Sequence, residues 1–435
     1  MPNRQERKVR TKARKEVETQ EEVLNTLLDE QSKLTKLEKA QHALTGLQER
    51  KFKMYFFVPA TGGHASGAVI EIYNQVAVLR RNGFDAYILA ERKDYTAPDY
   101  LDQDLQALPY LTSEGSKFPV APEDWLIIPD FYTPLMEQTK KTSCTRVVLA
   151  QSYDYIVTSN LGGMTWKDLG MDYVVTTSER MKQFIQEYHG PKLYDIQTYT
   201  LGVPDYFATP TLKKPVISFF SRNSDDIKRM SKLFYYKYPE LQWVVFEDLR
   251  GTSRTDFAKK LAESEVCLFI DRIAGFGQPA IEAMKADTVV VALAPDIVPE
   301  YMDANAGVWS ADYYQVPELL GKVFKMVISD EFPEEIRQGM KEQAAKYSPE
   351  ASEASILAAY AYFLTQRETI LKEAVEIATL MEEQLSAERA KIDELKTKVD
   401  TIQATVDGLG TPGTVSEEWA KKNILQITET TTTEA

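Results

Sequence analysis

Three kinds of hydrophobic pattern succeed one another along the chain. Over residues 1–50 the apolar positions Leu24, Leu27, Leu34, Leu37, Ala40, Leu44 and Leu47 recur at spacings of three, four or seven. There is no proline after Pro2 and no glycine before Gly46, so this is the stripe of a long helix. Residues 51–365 behave differently: short, nearly continuous apolar runs alternate with stretches of helical spacing. The runs lie at 53–60, 85–90, 125–130, 146–151, 173–178, 216–221, 243–248, 266–271 and 288–293, and each reads as a strand buried on both faces. Residues 366–410 return to a helix, with Leu371, Ala374, Ala378, Met381, Leu385, Ile392, Leu395, Val399, Ile402, Val406 and Leu409 in three-four alternation, broken only by Glu388. A period of 3.5 held this long predicts a left-handed coiled coil. The seam either pairs with another copy or folds back on the chain's own N-terminal helix. The breaker GLGTPG ends it, and 411–435 read as a polar disordered tail.

Strands separated by helices imply parallel sheets covered on both faces. About nine strands exceed one comfortable core, so an α/β architecture of two doubly wound domains is expected. The Pro-rich, polar segment 201–215 marks the break and should hold no regular structure. The chain therefore divides into a helix with a basic start (1–50), a first Rossmann-like domain (51–205), a second (206–345), a closing helix (346–365), the coiled-coil segment (366–410) and the tail (411–435).

Composition narrows the partners. Lys and Arg number 51 against 65 Asp and Glu in 435 residues, a formal charge of −14, so a general polyanion binder is excluded. The first sixteen residues carry seven basic and two acidic side chains, which leaves a frayed solvated end or a local tether to nucleic acid or an acidic partner. Two cysteines, Cys144 and Cys267, exclude a disulfide scaffold and a cysteine-built zinc site. His42, His64 and His189 lie too far apart in sequence to suggest a histidine-rich metal centre. No run of 18 apolar residues and no apolar signal core occurs, so a cytoplasmic protein without a membrane span is expected.

In doubly wound domains ligands bind beyond the carboxyl ends of the strands, and three loops there carry informative chemistry. The first is Thr61-Gly62-Gly63-His64-Ala65-Ser66-Gly67, where Gly62 and Gly63 let backbone amides approach a phosphate or sugar; a plain tight turn reads equally well. The second, Ser221 to Arg229, places Arg222 at a strand end and Lys228 one helical turn into the next element. Together they can neutralise a diphosphate, or they can simply balance Asp225 and Asp226. The third, Ile270 to Ala286, has the glycine turn Gly275-Phe276-Gly277 followed by Gln278 and Pro279 at a helix start. Glu282 follows within that helix, a carboxylate suited to accepting from paired hydroxyls such as those of a ribose.

AGFGQPAIEAMKADTVVVA resembles the EGFGLPxxEAMAxGxPVV signature of retaining, family-4-type glycosyltransferases of the GT-B fold. Further segments follow in the family's order over about 53–365: TGGHASGAVIEIYNQVAVLRRNGFDAYIL, VVTTSERMKQFI, LGVPDYF, SFFSRNSDDIKR, LAPDIVPEYMDANAGVWSADYYQVPELLGKVF and KYSPEASEASILAAYAYFL. The resemblance implies that Glu282 holds the nucleotide ribose and that Arg222, with Lys228, binds the diphosphate. Gly62 and Gly63 would lie beside that diphosphate, while Gly275, Phe276, Gly277 and Gln278 would contact the donor sugar. The chain departs from the family at Ala274, which replaces the first glutamate of its paired motif. It departs again at Ala150-Gln151-Ser152-Tyr153-Asp154, where the family often has a histidine, and at Asp287, which replaces a glycine.

Two functional expectations result. One is a metal-independent, retaining hexosyl-type transferase that uses a nucleotide-diphosphate sugar as donor substrate, without a resident cofactor, and an unidentified acceptor. The other is a degenerate GT-B scaffold, a homo-oligomer joined through 366–410 and 16–50, used in assembly, for example within a phage virion.

Overall fold

A computed structural model describes residues 19, 22–31, 52–60, 66–112, 120–159, 161–190, 195–302 and 305–408. The chain forms two compact units: a body of residues 51–366, and a unit made of residues 1–50 with 367–435.

The body contains two wholly parallel sheets. The first has the order β3-β2-β1-β4-β5-β6-β7, from β1 (Met54–Val58), β2 (Ala86–Ala90), β3 (Tyr110–Thr112), β4 (Trp125–Pro129), β5 (Thr145–Ala150), β6 (Tyr173–Thr176) and β7 (Asp195–Thr198). The second has the order β12-β11-β10-β8-β9, from β8 (Lys214–Ser221), β9 (Val245–Asp248), β10 (Ser264–Ile270), β11 (Val289–Leu293) and β12 (Val308–Ser310). The central strands β1, β4 and β11 are buried at every position, as their unbroken apolar runs require.

Twelve strands are described where the apolar runs number nine. The three additions, β3, β7 and β12, are all sheet edges, and β3 and β12 are only three residues long. An edge strand pairs on one side only and needs no continuous apolar sequence, so DIQT in β7 carries no such run. The remaining edge, β9, begins at Val245 rather than at Trp243, whose side chain stays 54% exposed.

The segment 201–215 also differs from expectation. It holds one 3-10 turn, Asp205–Ala208, anchored by the buried Phe207, and β8 already begins at Lys214. Lys213 turns inward and donates to the Ser264 carbonyl at 3.0 Å, the Ala286 carbonyl at 3.1 Å and Thr288 Oγ1 at 2.8 Å. Burial pushes its ammonium down to about 8.

The helix Pro349–Gly408 begins in the body. There Phe363 stacks on Tyr173 at 4.6 Å, Tyr360 meets Phe56 edge-on, and Ser355 Oγ accepts from the Thr200 amide at 2.8 Å. These contacts all fall on the first sheet's domain. In the other unit, Leu24, Leu27, Leu385 and Ile392 are buried, and Lys391 Nζ lies 2.9 Å from Glu30 Oε1. That contact joins two stretches of one chain, the fold-back option for the seam. Most side chains of the stripe over 366–410, and the tail 411–435, lie outside the described residues. Among the described residues no helix is long and apolar enough to cross a membrane.

Candidate functional site

The residues just past β5 in the first sheet touch those just past β10 in the second, so the carboxyl ends of the two sheets meet. Ser152 Oγ donates to the Ile273 carbonyl at 3.1 Å, and Tyr153 Oη donates to Asp296 Oδ2 at 2.6 Å. Asp296 also pairs with Arg272 at 3.0 Å. At Gly275 a Cβ would come 2.1 Å from the Gln151 carbonyl oxygen, so only glycine permits this approach. From the first domain's next helix, the Arg180 amide donates to Glu300 Oε1 at 2.8 Å.

Beneath this junction lies Asp130, wholly buried at the end of β4. Its Oδ2 accepts from the amides of Gln151 at 2.8 Å and Ser152 at 3.0 Å. Burial pushes the carboxyl up to about 7, opposed by those amides. Gln151 reaches the other way, donating through Nε2 to the Ala68 carbonyl at 3.1 Å in the first turn of the helix Gly67–Arg81.

The glycine turn expected from the sequence is present. Gly277 takes φ +75, and a Cβ there would sit 2.7 Å from the Tyr301 hydroxyl and 3.0 Å from the Phe269 ring. Tyr301 Oη, itself buried, lies 2.8 Å and 2.9 Å from the carbonyls of Phe276 and Gly277 and braces the turn. Phe276 is buried against Tyr301 and Tyr347. The helix Gln278–Lys285 follows with Pro279 in its first turn, where a missing N–H costs nothing. Gln278 is partly exposed, and its Oε1 lies near Gly67 of the first domain.

The remaining candidates fall into different settings. Arg222, at the end of β8, donates from Nε to Asp271 Oδ2 at 2.6 Å, and its side chain is 43% exposed. The phenol of Tyr155, from the first domain, lies beside the same guanidinium. Burial works against the charge on Arg222, but Asp271 and Tyr155 more than restore it; burial raises Asp271, with Arg222 pulling the other way. Lys228 pairs at 3.5 Å with Asp225 of its own helix and is 72% exposed. Glu282 is 1% exposed; its Oε1 accepts from Arg254 Nη2 at 2.6 Å, and its Oε2 has no partner among the described residues. Gly62, Gly63 and His64 lie outside the described residues.

The structure thus brings Arg222 to Asp271, the glycine turn to Gln151–Tyr153, and Glu282 to Arg254. Arg254 and Tyr155 drew no attention in the sequence, where no local motif contains them. Asp154 entered only within a departure from the family pattern, and Asp271 only as part of the loop Ile270 to Ala286. Among the described residues no group of three His, Cys, Asp or Glu side chains is placed to hold a metal ion.

No protein-family model matches the chain, and no curated protein matches it. Solved structures do. The pneumococcal O-GlcNAc transferase GtfA, in complex with UDP and GlcNAc, superposes with a TM-score of 0.52 at 10% identity, covering 75% of this chain and 100% of that one. Sucrose-phosphate synthase from Thermosynechococcus elongatus gives 0.54 at 12% identity, over 73% and 100%. Anabaena HepE in complex with UDP-glucose gives 0.51 at 14% identity, again over 73% and 100%. At such identities the likeness is one of fold: two Rossmann-like domains with their strand ends together, the GT-B arrangement.

Proposed function

We propose that this protein transfers a sugar from a nucleoside-diphosphate sugar to an acceptor hydroxyl, with retention of configuration. The observation that carries the reading is Arg222: a partly open guanidinium at a strand end of the second sheet, held by Asp271 beside a glycine turn at the end of the neighbouring strand. A fork of donors fixed in direction suits a diphosphate, and its charge offsets the negative charge that builds as the glycosidic bond breaks. Lys228 is an exposed second cation on the helix that follows Arg222.

The glycine turn brings backbone close to where the sugar would lie, and Glu282, through its unpartnered Oε2, serves the ribose hydroxyls. That last role needs access to a carboxylate now covered by Arg254, so we assign it to a nucleotide-bound arrangement in which Arg254 yields. The GtfA structure in complex with UDP and GlcNAc and the HepE structure in complex with UDP-glucose support a nucleotide sugar as the donor class. The signature around Gly275–Glu282 supports the retaining, family-4 type.

Thermal melting with UDP and GDP tests the reading. One of them should raise the melting temperature of the full chain, and Arg222→Ala should abolish the rise; no shift with any nucleoside diphosphate rejects it. Release of free sugar from the donor that binds then tests turnover.

A further inference from the structure

Every residue of the run Ala274–Gly277 is buried, and the cover comes from two sides. The second domain itself covers Phe276 and Gly277, through Tyr301, Tyr347 and Phe269. The first domain covers Gly275, where a Cβ would lie 2.1 Å from the Gln151 carbonyl oxygen and 2.9 Å from Ser152 Cα. A face too tight for one methyl group is too tight for a sugar ring. Arg222 stands outside this cover, with its side chain 43% exposed at the neighbouring strand end. The diphosphate half of the site is therefore open while the sugar half is shut by the chain itself.

Three hydrogen bonds hold the cover down. Ser152 Oγ donates to the Ile273 carbonyl at 3.1 Å. The Tyr153 hydroxyl lies 2.6 Å from Asp296 Oδ2 and 3.1 Å from the Arg272 carbonyl. Asp296 belongs to the same loop cluster, because its amide donates to the Arg272 carbonyl at 2.9 Å and its carboxylate pairs with the Arg272 guanidinium. On the other side the segment is pinned to its own domain. Asp130 Oδ2 accepts from the Gln151 and Ser152 amides, and Gln151 Nε2 donates to the Ala68 carbonyl. The segment moves with the first domain, and it leaves the turn only when Ser152 and Tyr153 let go.

We infer that Gln151–Tyr153 is an autoinhibitory strap over the sugar half of the site, lifted by the hexosyl group of a nucleotide sugar and left in place by a nucleoside diphosphate alone. The inference rests on the nucleotide-sugar reading above and adds a brake built into the first domain. A sugar that enters has to displace bonds the chain already makes, one of them to a carboxylate. Its apparent affinity is lowered by the fraction of molecules in which the strap is down.

Calorimetric titration of the full chain with UDP, UDP-glucose, GDP and GDP-mannose tests this on the wild type, Tyr153→Phe, Asp296→Ala and the control Tyr236→Phe. Phe at 153 keeps the edge contact with Phe184 and loses the bond to Asp296, whose side chain is half exposed. Tyr236 is an exposed residue of the helix Ser224–Lys237. Loss of a hydrogen bond to a charged group should raise nucleotide-sugar affinity about tenfold in Tyr153→Phe and in Asp296→Ala, with diphosphate affinity within about twofold of wild type. The control should match wild type for all four ligands. No gain for either nucleotide sugar in Tyr153→Phe overturns the inference alone; if that variant fails to fold, Asp296→Ala decides in its place. An equal gain for a diphosphate and its sugar also overturns it, because the segment then governs the whole cleft. A wild type that binds none of the four ligands overturns the functional reading itself, and this inference with it.

Discussion

Two arginine–carboxylate pairs in the second domain have the same 2.6 Å separation and opposite surroundings. In Arg222–Asp271 the arginine is 43% exposed and the carboxylate sits in the wall behind it. In Arg254–Glu282 both members are covered, at 12% and 1%. Arg254 is further wrapped by the rings of Phe207 and Phe257, 5.0 Å and 5.6 Å from its guanidinium carbon. Burial opposes its charge, yet Glu282 holds that charge more firmly than in water. Distance alone does not separate an open pair from a sealed one; access does. The open pair can exchange water for a ligand, whereas the closed pair ties the helix Arg254–Glu263 to Gln278–Lys285 and leaves one carboxylate oxygen unused.

The comparison breaks most visibly if the closed pair is cut. Glu282→Ala leaves Arg254 buried without its counter-ion and should destabilise the body by about 3–5 kcal/mol in urea unfolding. A loss under about 1 kcal/mol would place the pair in the same class as the open one.

A third buried acid sharpens the contrast, because Glu71 has no ion-pair partner among the described residues. It has a long contact of 3.5 Å from Asn74 Nδ2 and an unpartnered Oε1. Burial pushes it from 4.5 up to about 8, so the folded state keeps a proton that the unfolded state releases. Stability from this group is complete below about 4.5 and is lost as the pH rises towards about 8. Glu71→Gln should flatten that fall and leave the protein more stable than wild type at pH 8. Parallel unfolding curves for the two proteins across this window would contradict it.

Gly275→Ala addresses the junction beside the open pair. A methyl group 2.1 Å from the Gln151 carbonyl should cost about 1–3 kcal/mol or push the two loops apart. Unchanged melting and unchanged diphosphate affinity together would show that the close approach is not needed.

The smallest stability effects belong to the exposed cations. Arg222→Ala should cost less than about 1 kcal/mol of stability while weakening diphosphate binding at least tenfold. Lys228→Ala should alter stability by no more than about 0.5 kcal/mol, since its partner Asp225 is an exposed neighbour on the same helix. A large stability loss at Arg222 would erase the distinction between the pairs.

How much of this was legible beforehand differs between fold and site. Strands such as MYFFV and VVVAL show themselves because both faces are buried, and every side chain must then be apolar. β7 stays hidden because an edge tolerates DIQT. In the site, Arg222, Glu282 and the Gly275–Gly277 turn are visible as residues suited to phosphate, ribose and close backbone approach at strand ends. Their partners are not. Asp271 lies 49 residues from Arg222, and Arg254 lies 28 residues from Glu282, separations that no helical or strand period encodes. The segment Gln151–Asp154 stood out in the sequence only as a departure from the family resemblance, and its contacts show instead a stretch built against the second domain.

From the sequence alone came the alternation of parallel strands and helices, the expectation of two parallel-sheet domains, and the chemical character of the loops at the strand ends. Hydrophobic periodicity and glycine or proline placement are local properties, and each acts within one element. Tertiary structure decided which charges meet, which are sealed and which stay open. Those outcomes depend on where strand ends of two separate sheets come to rest, and the energy of a charge depends on the water left around it.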